Sequence, residues 1–65
     1  MKRTLKEWRE LRYMSQEQLA EAIDRTNMTI SLWETGKSEP KYSDLLKLAR
    51  VLKTNGIDNI ILPIR

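Results

Sequence analysis

Over residues 15–37 the chain reads SQEQLAEAIDRTNMTISLWETGK, and the spacing of its caps and apolar residues confines it to two short helices joined by a tight turn. The Ser15 hydroxyl can accept from the backbone N–H three residues on while Gln18 reaches back, the reciprocal capping box that starts a helix. Leu19, Ala20 and Ile23 then share one face at about 3.6 residues per turn. Ala20 is the small member of that stripe, and small residues let a second helix cross closely. Asp24, Arg25 and Thr26 hold no apolar residue and make the turn. Thr26 can cap a second helix over Asn27–Thr35, with Ile30 and Trp33 facing back onto Leu19 and Ile23 and Gly36 ending it. Asn27, Met28, Ser31, Leu32 and Thr35 remain on the outer face.

Thr4 followed by Glu7 forms a second capping box, and Leu5, Trp8 and Leu11 continue at helical spacing, so a helix is expected over residues 5–12. After Gly36 the segment KSEPKYSD is polar, and Pro40 stands just before a helix start, where its missing N–H costs least. Leu45, Leu48, Ala49 and Leu52 form the apolar stripe of a helix expected over residues 42–53. The tail, IDNIILPIR, is very apolar, and Pro63 forbids a continuous helix through its end, so a short fifth helix is expected over residues 57–62. The expected fold class is all-α: a compact bundle of about five short helices forming a single domain over residues 1–65.

Sixty-five residues bury only about 60% of the surface that the unfolded chain exposes, so the core has to come from helix packing or dimerisation. With no cysteine and no histidine there is neither a disulfide nor a Cys/His zinc site, and no metal or cofactor is expected. The same absence leaves no catalytic residue to assign, and Glu17 and Glu21 read as a solvated helix pair, so an enzyme is not expected. No apolar run approaches a membrane span, and MKRTLKEWRE lacks the apolar core of a signal peptide, which fits a cytoplasmic protein. Twelve Lys and Arg against nine Asp and Glu give a net charge of +3, a modest excess that suits nucleic acid without requiring it.

Taken together, the 15–35 unit, Leu5, Arg9 and Leu11 in the preceding helix, the W-E-x-G-K run from Trp33 to Lys37, and Pro40 followed by LLKLARVL resemble the phage repressor and Cro-like (Xre-type) helix-turn-helix family, with its lambda repressor-like fold. The resemblance covers nearly the whole chain. Tyr13, Asp24 and Lys53 stand where such proteins usually have glycine in bends of positive φ, so the bends at Tyr13 and Lys53 are expected to be reshaped. Arg25 is polar where the family usually keeps an apolar turn residue.

The resemblance implies a sequence-specific transcriptional regulator of the phage or mobile-element repressor type, acting in a bacterial or phage-infected cell. It would bind a palindromic double-stranded DNA operator as a homodimer, with helix 3 in the major groove. The N-terminal end of that helix would reach base edges first. Asn27 can pair bidentately with adenine, or it serves only the helix start. Met28 and Leu32, exposed at i, i+4, suit thymine methyls, and they equally suit a groove on another protein. Ser31 is short and discriminates poorly. Gln16, at the first turn of helix 2, matches a clamp on the DNA backbone, and Thr35, Lys37 and Lys41 match phosphate contacts across the groove, although the two lysines also read as ordinary solvated charges. Arg9 and Glu34 match a structural ion pair between helix 1 and the end of helix 3. Trp8 and Trp33 fall in phase with the core.

Residues 57–65 are the sizeable apolar surface left for pairing. Ile57, Ile60, Ile61, Leu62 and Ile64 can pack across a two-fold axis as helices or as a strand, or Ile57 and Ile61 can close the monomer core. Dimer contacts are expected at Ile60, Leu62 and Ile64. A second use of the scaffold is a protein-binding module, an anti-repressor or antitoxin whose helix 3 occupies another regulator. The outer face of helix 3 carries no Arg or Lys, which removes the common arginine contact to guanine.

Overall fold

The computed structural model describes residues 1–63. A two-residue strand β1 (Arg3–Thr4) leads into α1 (Leu5–Leu11), followed by α2 (Gln16–Ala22), α3 (Asn27–Thr35) and α4 (Tyr42–Leu52). A 3-10 turn over Ile57–Asn59 then delivers a second two-residue strand, β2 (Ile60–Ile61). The fold is mostly helical, as expected, with α3 spanning the residues its cap and stop signals give.

The helices α1, α2 and α3 each begin where the N-cap side chain accepts from a free backbone N–H. Thr4 Oγ1 accepts from Glu7 N at 3.1 Å while Glu7 Oε1 accepts from Thr4 N at 2.8 Å. The Thr4 N–H bond to the charged form, helped by the Thr4 hydroxyl, holds the Glu7 carboxyl below its ordinary pKa. Ser15 and Gln18 repeat the box at 3.0 and 2.8 Å, and Thr26 Oγ1 accepts from Thr29 N at 3.3 Å. Gly36 closes α3 at φ +80°, and a side chain there would bring a Cβ within 3.0 Å of Pro63, so the tail also needs that position bare.

Leu5, Trp8, Leu19, Ala20, Ile23, Ile30, Trp33, Leu48, Leu52 and Ile60 form the buried core, so both tryptophans are structural. Ala20 and Ile23 of the α2 segment and Ile30 and Trp33 of α3 all belong to this core, and α2 and α3 pack against each other. Arg12 joins α1 to the end of α4: its Nε donates to Leu52 O at 2.7 Å and its Nη2 to Lys53 O at 3.0 Å. Those carbonyls would otherwise lack partners at a helix terminus. The Arg12 guanidinium lies 5.6 Å from the centre of the Trp8 ring.

Two expectations are corrected. The fifth helix over 57–62 is a single 3-10 turn followed by β2, because Ile60 and Ile61 pair in parallel with Arg3 and Thr4 rather than continuing a helix. Trp8 Nε1 donates to Asn59 O at 2.8 Å and holds the chain at the point where the turn becomes a strand. The bends at Tyr13 and Lys53 are not reshaped. Both residues adopt the left-handed conformation usual for glycine, at φ 57° and 54°, and Asp24 does the same at 61°. The tight α1–α2 connection and the stop of α4 dictate the backbone, and the side chains accommodate it.

Candidate nucleic-acid interface

The α2–α3 pair presents one side of α3 outward. Thr26, Asn27 and Met28 are exposed, Met28 at 72%, while Ser31 and Leu32 are half-buried. Asn27 opens the helix immediately after its cap and is exposed. Leu32 is only partly available and contributes the edge of its side chain rather than a free knob. With no Lys or Arg in Asn27–Thr35, the face offers amide, hydroxyl and apolar groups.

Glu34 is the hub behind that face. Arg9 Nε donates to Glu34 Oε2 at 2.7 Å and Arg9 Nη2 to Glu34 Oε1 at 3.2 Å, with the two side chains 11% and 5% exposed. The accepting carboxylate pushes the Arg9 pKa above its ordinary value, chiefly through this hydrogen bond, so the guanidinium stays charged. Arg9 Nη1 also donates to Met14 O at 2.9 Å, fixing the chain that enters α2. Gln16 Nε2 donates to Glu34 Oε1 at 3.0 Å. The first residue of α2 is thus held against the end of α3, and one amide hydrogen of Gln16 remains free for a partner.

Thr35 Oγ1 donates back to Ser31 O at 3.0 Å and sits 3.3 Å from Leu32 O, so its hydroxyl proton is engaged within α3. An anion at Thr35 would have to draw that hydroxyl away. Lys37 and Lys41 are exposed on either side of the loop after α3. Lys41 is the N-cap of α4, and its backbone N–H donates to Asp44 Oδ2 at 3.2 Å.

A second ion pair, between Arg25 and Asp44, is not evident from the local sequence pattern. Arg25 Nη2 lies 2.9 Å from Asp44 Oδ1 and 3.2 Å from Asp44 Oδ2, and Arg25 Nε lies 3.2 Å from Asp44 Oδ1. Asp44 is 2% exposed. The polar residue in the α2–α3 turn is therefore the partner of a buried carboxylate on α4, and it ties the start of α3 to the segment that carries Lys41. The available signal was the coincidence of an out-of-place arginine and an aspartate in the first turn of the amphipathic helix α4, one turn before its apolar stripe residue Leu48.

The tail residues separate. Ile60 is 8% exposed and belongs to the monomer core, so its expected place on a dimer surface is corrected: strand pairing turns it inward. Ile61, its neighbour on the opposite face, is 44% exposed, and Leu62 is half-buried against the core. Ile64 lies outside the described residues. Among the described residues there is no cluster of His, Cys, Asp or Glu able to hold a metal, and no helix long and apolar enough to cross a membrane.

No curated protein and no solved structure matches the chain. A helix-turn-helix family model matches residues 5–57, a span that takes in all four helices and the Arg9–Glu34 and Arg25–Asp44 pairs. With the crossing of α2 and α3, the bare outer face of α3 and that match in hand, the chain belongs to the helix-turn-helix family of DNA-binding regulators of the Cro and C1 type.

Proposed function

We propose that the protein is a sequence-specific transcriptional repressor of the phage or mobile-element type, reading a palindromic operator in the cytoplasm as a homodimer. The observation that carries the reading is the exposed N-terminal end of α3, where Asn27 and Met28 stand clear of the core while α2 is anchored behind them. In the major groove, Asn27 would pair with adenine N6 and N7, and Met28, with the exposed edges of Ser31 and Leu32, would meet neighbouring bases and thymine methyls. Gln16, with its free amide hydrogen, would hold one phosphate strand, and Lys37 and Lys41 the other. Thr35 joins them only by releasing its own helix. These contacts fix register and add salt-dependent affinity.

A pair of domains would place two α3 helices about one helical turn of DNA apart and multiply a small set of base contacts. Ile61 and the tail beyond it are the surface proposed for pairing.

Met28 at 72% exposure on a helix without Lys or Arg also favours a second reading, an α3 that docks into an apolar groove of another regulator. Salt separates the two. Binding to duplex DNA should fall steeply, with log K declining in proportion to the phosphates neutralised, whereas a groove-bound helix should respond little. A flat salt profile would move the function to the protein-binding reading.

A further inference from the structure

Tyr13, Asp24, Lys53 and Asn55 are non-glycine residues that hold a positive φ. Asp24 and Asn55 are of the types that tolerate it, because their short polar side chains bond locally. Lys53 closes α4, where a cation meets the negative end of the helix. Tyr13 has no such reason. Its φ is 57°, and its side chain is 94% exposed, packing on nothing among the described residues. Its backbone N–H donates to Glu10 O at 3.0 Å, a bond glycine would make as well. A large aromatic therefore occupies a strained position with no compensation inside the fold.

Its place in the chain indicates the compensation outside. Tyr13 lies in the α1–α2 turn, three residues before Gln16, a separation that the backbone spans in at most about 11 Å. Gln16 is pinned to Glu34 at the end of α3, and the Tyr13 turn leads directly into the rim on which the proposed phosphate contact sits. Of the nearby cations, Arg9 is committed to Glu34 and Met14 O, and Arg12 to the carbonyls ending α4. The exposed tyrosine is a neutral donor on that rim, and tyrosine hydroxyls bond phosphate oxygens.

We infer that Tyr13 is a contact to the DNA sugar-phosphate backbone, its hydroxyl donating to a phosphate oxygen just outside the one held by Gln16. The inference rests on the DNA-binding reading. It gives affinity at the flank of the site without reading a base, and it explains why glycine is absent from the turn.

The test uses the full chain and the duplex that it selects from a random library, extended by several base pairs at each end. Tyr13→Phe should bind about tenfold more weakly, the loss of one hydrogen bond to a charged group, and the interference normally caused by ethylating one flanking phosphate should vanish. Tyr13→Gly should bind at least as weakly while melting at a higher temperature, which separates lost contact from lost fold. Variants that bind within about twofold of the wild type, with the same interference pattern, overturn the inference and leave the DNA reading standing. A wild-type chain that selects no duplex overturns both.

Discussion

The Arg25 guanidinium spans both carboxylate oxygens of Asp44, joining the turn before the recognition-type helix to the first turn of α4. Asp44 is 2% exposed while the Arg25 side chain is 42% exposed, so the carboxylate depends on this partner more than the arginine does. Arg25→Leu should therefore leave a buried charge held by a single backbone N–H and cost about 2 kcal/mol, less than a fully buried pair because solvent reaches Arg25. Urea unfolding measures it. Arg25→Leu combined with Asp44→Leu should recover much of the loss, since the cost lies in the orphaned carboxylate rather than in the missing attraction.

Glu34→Gln is expected to weaken both stability and DNA affinity. Arg9 is 11% exposed in its side chain, and removing the facing charge should cost about 3 kcal/mol. That is a large share of what a small domain has, roughly 0.05–0.15 kcal/mol per residue. Below its melting temperature the variant should still bind DNA less well, because the single amide oxygen left at position 34 must serve both Arg9 and Gln16, which loosens the Gln16 anchor. A cycle with Gln16→Ala should be non-additive in affinity.

Lys53→Gly should stabilise the fold. Lys53 holds φ 54° at the end of α4, and relieving an L-residue of that conformation gains about 1 kcal/mol, less what is lost when the cation leaves the helix end. Since a domain of this size gains about 4–8 °C for each kcal/mol, a rise of several degrees in the thermal midpoint with unchanged DNA affinity is the expected result.

Ile60 and Ile61 should differ in kind. Ile60→Ala opens a cavity in the monomer and is expected to cost about 2–4 kcal/mol, while Ile61→Ser, on the exposed face of β2, should leave folding nearly unchanged and lower only self-association. Sedimentation of both variants, with and without operator DNA, checks this. Equal loss of stability in the two would contradict the alternation.

What was legible in the sequence was local. Thr4, Ser15 and Thr26 carry their caps within three residues, and Leu19, Ile23, Ile30 and Trp33 carry their own period, so the helices and their crossing follow from short windows. What was not legible depends on distant partners. Ile60 and Ile61 become a strand because Arg3 and Thr4 lie beside them, some fifty-seven positions away by the pairing of residue 3 with 60 and 4 with 61. Asp44 is buried because Arg25, nineteen positions earlier, covers it. Tyr13 and Lys53 show the opposite balance: residue preference favoured a changed bend, but the connections between α1, α2 and α4 kept the left-handed backbone and its strain.

The Asn27 end of α3 is the part of the molecule proposed to read bases. Selection of bound sequences from a random duplex library at about 150 mM salt, near physiological ionic strength, tests that proposal most directly when run in parallel on the wild type and Asn27→Ala. A palindromic motif is expected for the wild type, with adenine preference relaxed at one position in each half for Asn27→Ala and the rest of the motif retained. A folded wild-type chain that enriches no motif, or an Asn27→Ala variant that selects an identical one, would contradict it.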